Sequence, residues 1–305
     1  DVEGISREYE QIRLGVLSKI IDGDYTAVVA SAAAAAQYTM PPQALKERSF
    51  KISSGDEIDL DDMATRLVKA GYSRFDQVDG TSQFSIRGGL LDIFPPGADD
   101  PVRIELWGDT VDSITKFDIA TQRRTDMVNS VEIIPSTEVL FNSREEQAKK
   151  IDTLAAGLKG KATKAREKLY QDSDRLKQGI NLRCNDKYLP LAYDSKGIFD
   201  YFEGTLFVCE SAKIKEKTLS QTKLMNEEIK WLLNDGNLCK GIDKFALDFE
   251  DLCAVYESCA AVYMDSLPRG SFDTPVRHLA NFVCESFNAW SGTLSHAIVI
   301  EGDEG

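Results

Sequence analysis

The hydrophobic pattern of this chain changes period twice, and that double change restricts the fold more than any other feature. Up to about residue 49 the order is helix, strand, helix. Ile5, Tyr9, Ile12, Val16 and Ile20 recur every three or four residues and mark one face of a helix that Asp22-Gly23-Asp24 ends. Tyr25 to Ala30 reads as a buried strand and SAAAAAQY as a helix start, with Pro41-Pro42 ending that unit. Near residue 50 short strands separated by turns take over: YSRFDQV, Asp79-Gly80, QFSIRGGLLDIF, Pro-Pro-Gly, PVRIELW, Gly108-Asp109 and TVDSITKFD, closed by VEIIP at 131–135. A short helix from Leu60 to Ala70 precedes them, with Asp59 as N-cap and Gly71 as its stop. Charged, helix-forming sequence runs from Ser143 to Leu176. The first pattern then returns, with strands expected at GTLFVCE (204–210) and CAAVYM (259–264) and a helical stretch through Trp231 between them.

Alternating helices and strands build parallel sheets, whereas successive hairpins build antiparallel ones. A meander between two α/β stretches is therefore expected to be an inserted domain. The expectation is an α/β protein. A parallel-sheet domain is divided between 1–49 and 140–305, and a sheet-rich α+β domain is inserted at 50–139. A length of 305 residues suits two cores better than one.

A formal net charge of -14 argues against bare nucleic acid as a partner of the whole chain, since phosphate binding needs clustered Lys and Arg. No stretch reaches the roughly 20 apolar residues of a membrane span, and the N-terminus lacks a signal-peptide layout, so a cytoplasmic location without membrane contact is expected. Cysteines at 184, 209, 239, 253, 259 and 284 form no Cys-x-x-Cys pair, and His278 and His296 are the only histidines. A metal site, a disulfide framework and histidine catalysis are accordingly not expected. Asp22, Asp24, Asp56, Glu57, Asp59, Asp61 and Asp62 lack the spacing of a calcium loop and read as turns and a helix cap. Asp1 at the start and EGDEG directly after the strand-like HAIVI read as cut ends of a longer chain.

The run PVRIELW carries the functional reading. Successive side chains of a strand face opposite ways. Val102, Ile104 and Leu106 should bury against the short helix, while Arg103, Glu105 and Trp107 lie on a solvent face. On the preceding hairpin, Ser85 and Arg87 alternate with Phe84 and Ile86, so Arg87 joins that face if the register permits. Arg and Trp are over-represented at binding hot spots. From periodicity alone, the stronger reading is a weak surface ion pair between Arg103 and Glu105, with Trp107 covering a sheet edge.

The segment from Gly71 to Asp118, centred on FSIRGGLLDIFPPGADDPVRIELWGDTVDSITKFD, resembles domain 2 of the UvrB-homology module. That module occurs in the excision-repair protein UvrB and in transcription-repair coupling factors. Arg-Gly-Gly-x-x-Asp-Ile-Phe-Pro and Arg-Ile-Glu at this separation carry the likeness. TQRR at 121–124 is similar to the coupling-factor branch, and VVASAAAAAQYTMPP and SFNAWSG agree more faintly. The resemblance implies a contact with the damage-recognition protein UvrA through two arginines and an aromatic residue. These fall on Arg87, Arg103 and Trp107, with Glu105 beside them; the aromatic is often Phe in relatives. It also implies that a C-terminal domain of the parent masks this face. RNA polymerase and DNA would be engaged by parent domains outside this chain.

For the flanking domain the resemblance implies a degenerate RecA/helicase-like fold. No G-x-x-x-x-G-K-[ST] loop is present; Gly157-Leu158-Lys159-Gly160-Lys161-Ala162 is too short and reads as a solvated helix face. In IFDYFEGTLFVCES, Cys209 stands before Glu210 and Ser211 where active relatives carry the magnesium-holding aspartate, and a thiol is a poor ligand for that cation. Cys209 is expected in the core. No catalytic residue and no cofactor are expected, and the reading is an adaptor. The competing readings are an active UvrB-like ATPase with its phosphate loop upstream of Asp1, and direct DNA binding.

Overall fold

The computed structural model describes residues 7–160, 162–182, 184–266 and 297–301, the last five as backbone. In chain order the first elements are α1 (Glu8–Asp22), β1 (Val28–Ser31), α2 (Ala32–Ala36) and α3 (Pro42–Arg48). Next come β2 (Phe50–Ser53), α4 (Leu60–Lys69), β3 (Ser73–Arg74), β4 (Gln83–Arg87), β5 (Leu90–Ile93), β6 (Val102–Trp107), β7 (Thr110–Phe117), β8 (Arg124–Val128) and β9 (Ser130–Ile133). The chain continues through α5 (Arg144–Gly157), α6 (Thr163–Lys177), α7 (Leu189–Ala192), β10 (Thr205–Cys209), α8 (Ser211–Asp235), α9 (Phe249–Ser258), β11 (Ala260–Met264) and β12 (Ala297–Glu301).

Among the described residues the architecture is mixed α/β with three sheets. One is parallel, in the order β1-β12-β10-β11, so both flanks of the chain contribute to it. Its core gathers Leu206 and Val208 of β10 with Leu14 and Leu17 of α1, Ala35 of α2, Ile214 of α8 and Leu252 of α9. The middle of the chain forms the sheet β3-β4-β5-β6-β7-β8, antiparallel from β4 onward with β3 parallel to β4. Strands β2 and β9, at the two ends of this middle region, pair with each other, Phe50 opposite Ile133. The chain therefore enters and leaves the middle region at one place.

Helix α4 starts where Asp59 accepts hydrogen bonds from the N–H groups of Asp61 and Asp62, 2.9 and 2.8 Å away. It ends at Gly71, whose φ of +92° leaves the helix and whose missing side chain makes room for Ser136 Oγ, 2.6 Å from where a Cβ would lie. Met63 and Leu67 of α4 pack on Val102, Ile104 and Ile114, as the alternation of PVRIELW predicts.

Two local expectations are corrected. Helix α1 forms and Ile20 is buried as expected, but the helix otherwise buries Leu14 and Leu17 beside the polar Gln11 and Ser18, leaving Tyr9, Ile12 and Val16 exposed, while Ile5 lies outside the described residues. Gln11 and Ser18 tolerate burial because the middle region supplies partners: Gln11 Nε2 donates to Ser82 Oγ (2.8 Å), and Ser18 Oγ donates to Glu132 Oε1 (3.2 Å). The charged stretch after Ser143 is two packed helices, α5 and α6, rather than one solvated helix. Gly157–Ala162 is the turn between them, with Gly160 at φ +74°, and Lys161 lies outside the described residues.

Helix α1 also ties the two regions together electrostatically. Arg13 makes a two-pronged contact with Glu138, Nε to Oε1 at 2.5 Å and Nη2 to Oε2 at 2.6 Å, and the Glu138 side chain is only 4% exposed. Glu10 accepts hydrogen bonds from Thr137 Oγ1 and the Glu138 N–H. Burial pushes the Glu138 carboxyl above its ordinary value, the neighbouring Glu10 charge adds to this, and Arg13 opposes it. A carboxyl with a raised folded pKa costs stability above that pKa, and the cost fades as pH falls towards the unfolded value of 4.5. In urea titrations the stability of the wild type relative to Glu138→Gln should therefore increase from neutral pH down to about pH 5. A pH-independent difference would contradict this account.

Candidate protein-interaction surface

Strands β4 to β7 present one face to α4 and the other outward. The register sets the outward residues in rows across the strands. Ser85, Asp92, Arg103 and Thr115 are successive neighbours, as are Arg87, Leu90, Glu105 and Ser113, with Trp107 opposite Thr110 at the end of β6. The register shift between Glu105 and Leu106 is taken up by β7, so Trp107 stays on the same side as Arg103. The β4–β5 hairpin turns at Gly88-Gly89. A side chain at Gly89 would meet the Leu106 carbonyl oxygen at 3.1 Å, and the Leu106 N–H bonds Gly89 O at 2.9 Å. Glycine at 89 thus lets the hairpin lie against β6 and brings Arg87 to the Arg103–Trp107 row.

This outward face is only partly open. Val78, Phe94 and Phe117 form a small second core over one end of it. Asp92 lies there, 1% exposed, as does Ser85, whose hydroxyl donates to Asp76 O at 2.8 Å. A buried carboxylate needs compensation. Arg103 supplies it with two parallel hydrogen bonds, Nε to Oδ1 at 2.7 Å and Nη2 to Oδ2 at 2.9 Å, and Arg87 Nη2 adds a third to Oδ2 at 2.7 Å. The Arg103 guanidinium also stacks 4.8 Å from the Phe117 ring centroid. Its bonds to Asp92 hold the Arg103 pKa above the ordinary arginine value.

The predicted residues therefore share a face but not an exposure. Trp107 is 85% exposed, and the Arg87 side chain is 46% exposed. Glu105 is half-buried and ion-paired to Arg124. The Arg103 side chain is only 12% exposed, which corrects the expectation that both guanidinium groups project into water. Alternation fixes the side on which a residue lies. It does not show that Asp92, on the neighbouring strand, pulls the guanidinium down. Met127 of β8 was not anticipated; it is 74% exposed and pairs with Thr115, extending the apolar part of the face. It stands in RTDMV, a stretch without clear alternation.

In the parallel domain, Cys209 ends β10 half-buried rather than in the core. Glu210 takes the left-handed conformation (φ +54°) and its Oε1 accepts the Ser266 N–H at 3.0 Å. The first turn of α8 is met by Asp265, whose Oδ1 accepts the Ser211 N–H at 2.6 Å while the Ser211 hydroxyl donates to Oδ2 at 2.9 Å. Among the described residues there is no group of three or more His, Cys, Asp or Glu arranged to hold a metal ion. His278, His296, Cys284 and SFNAWSG lie outside the described residues.

Residues 50–139 match the family model of the UvrB interaction domain. Over 260 residues, 82% of its length, the chain is 35% identical to the transcription-repair-coupling factor of Bacillus subtilis (strain 168). It is 33% identical to that of Myxococcus xanthus over 169 residues (55% of the chain) and 32% identical to that of Haemophilus influenzae over 177 (56%). The outward-facing sheet thus belongs to a protein carrying a UvrB interaction domain. The chain as a whole is a relative of the transcription-repair-coupling factors, and it spans 22%, 14% and 15% of these three proteins.

Replacing Arg103 with alanine leaves Asp92 buried with Arg87 alone. The loss should be roughly 3 kcal/mol of folding stability, the scale for breaking a buried ion pair. Thermal and urea unfolding of Arg103→Ala would check this, and a change under about 0.5 kcal/mol, the surface-substitution scale, would show that the pair is not structurally needed.

Proposed function

We propose that this chain is an adaptor of transcription-coupled nucleotide excision repair that binds UvrA through the outward face of residues 50–139. The observation that carries the reading is Trp107, a large aromatic side chain 85% exposed on a rigid strand, with Arg87 and Glu105 around it. An aromatic anchor beside an arginine is the composition of an interface hot spot. The family match at 50–139 and the names of the relatives point to the same process. Trp107, Arg87 and Glu105 make the contact. Arg103 positions Arg87 and the strand through Asp92 and offers only its edge. In the longer protein the C-terminal domain covers this face until UvrA is needed, and RNA polymerase and DNA are engaged by domains outside this chain.

The parallel-sheet domain acts as a degenerate RecA/helicase-like scaffold without nucleotide hydrolysis. Two observations support this. β10 ends on the thiol of Cys209, a poor magnesium ligand, and the Asp265 carboxylate takes the Ser211 N–H at the start of α8, which sets a negative charge against any anion there.

Trp107→Ala should weaken UvrA binding by about 2 kcal/mol or more, a near-thirtyfold loss or greater, read by calorimetry. Its unfolding free energy should stay within about 0.5 kcal/mol of wild type, because the indole is exposed. Wild-type affinity in this variant would sink the assignment of the surface.

A further inference from the structure

The turn between α5 and α6 faces the C-terminal end of α8 across a groove of ≈ 1240 Å³. Its apolar lining comes from Leu154, Leu158, Leu191, Leu233 and Leu238. Leu238 is buried, whereas Leu233 remains 36% exposed. Gly236 shapes this wall. Its φ of +76° turns the chain out of α8, and a side chain there would meet the Ala165 backbone N at 2.9 Å.

The rim is lysine: Lys149, Lys150, Lys159, Lys164 and Lys240, with Glu146 as the single acidic residue of the lining. Glu146 is already paired with Lys150 at 3.2 Å. Lys149, Lys159 and Lys240 are exposed and form no ion pair among the described residues. In a chain of net charge -14, three lysines without an ion pair among the described residues around an apolar floor are a local excess of positive charge, although Asp235 and Asp243 lie close by.

We propose that this groove docks an acidic peptide segment of another protein, with leucine-like side chains on the floor and carboxylates against the lysine rim. The lining decides between an acidic peptide and a nucleic acid strand. It contains no arginine to grip phosphate in a two-pronged manner and no aromatic ring on which a base could stack, the two devices single-stranded nucleic acid sites rely on. An apolar floor with a charged rim is instead the pattern of a groove that receives an amphipathic segment. The site lies outside residues 50–139 and does not depend on the UvrA surface.

The test is fluorescence anisotropy of the whole chain with a labelled peptide alternating glutamate and leucine. A peptide with serine for leucine and a labelled single-stranded oligonucleotide serve as the other two ligands. The glutamate–leucine peptide should bind and weaken as salt is raised, and the serine version should not bind. The triple variant Lys149→Glu, Lys159→Glu, Lys240→Glu should lose about tenfold or more in affinity. A control carrying Lys46→Glu, Lys69→Glu and Lys213→Glu, which changes net charge equally but away from the groove, should lose far less. No peptide binding, equal loss in both triple variants, equal binding of the serine peptide, or tighter binding of the oligonucleotide would each overturn the proposal.

Discussion

Asp92 is the charge around which the outward sheet is organised. A carboxylate with 1% exposure is tolerated only when its oxygens are matched, and here two guanidinium groups from two strands converge on it. This one pairing sets several things at once. It orders Arg87 at the hairpin end and flattens Arg103 onto Phe117. It also fixes the relative register of β4, β5 and β6, since slipping β4 or β6 by one residue would send an arginine, and slipping β5 would send Asp92, to the α4 side. Trp107, four residues beyond Arg103 along β6, inherits its position from that register. The exposed part of the surface is therefore held by a part that is not exposed, the arrangement a rigid recognition surface requires.

A second electrostatic join, Arg13 with Glu138, performs a similar task between the two regions. Helix α1 belongs by sequence to the parallel-sheet domain, yet its polar residues Glu10, Gln11, Arg13 and Ser18 all find partners in the segment from Ser82 to Glu138. Hydrogen bonds from α1 therefore help to specify how the six-stranded sheet sits on the parallel-sheet region. Polar contacts of this kind favour one geometry sharply, because a small rotation leaves buried groups unmatched.

Much of this was legible in the sequence where the signal is local. Asp59 as a cap, Gly71 as a stop, and the alternation in PVRIELW each depend on neighbours a few residues away, and each appears in the structure at its expected place. What was not legible depends on distant partners. The burial of Arg103 needs Asp92 from the neighbouring strand, and the buried face of α1 needs Ser82 and Glu132 from the middle region. Periodicity read Tyr9, Ile12 and Val16 as core because it counts apolar residues and cannot count future hydrogen-bond partners. Met127 was missed for a related reason: an edge strand with charge on both sides has no pattern to read.

The pairing of Phe50 with Ile133 has a consequence for how such a protein could arise. Paired strands place their backbones about 5 Å apart, so the whole six-stranded unit hangs from its host by two adjacent threads. A recombination event that joins or removes sequence at those threads barely disturbs the host's path. A unit joined in this way is portable between otherwise different proteins, and its ancestry need not follow that of the chain carrying it.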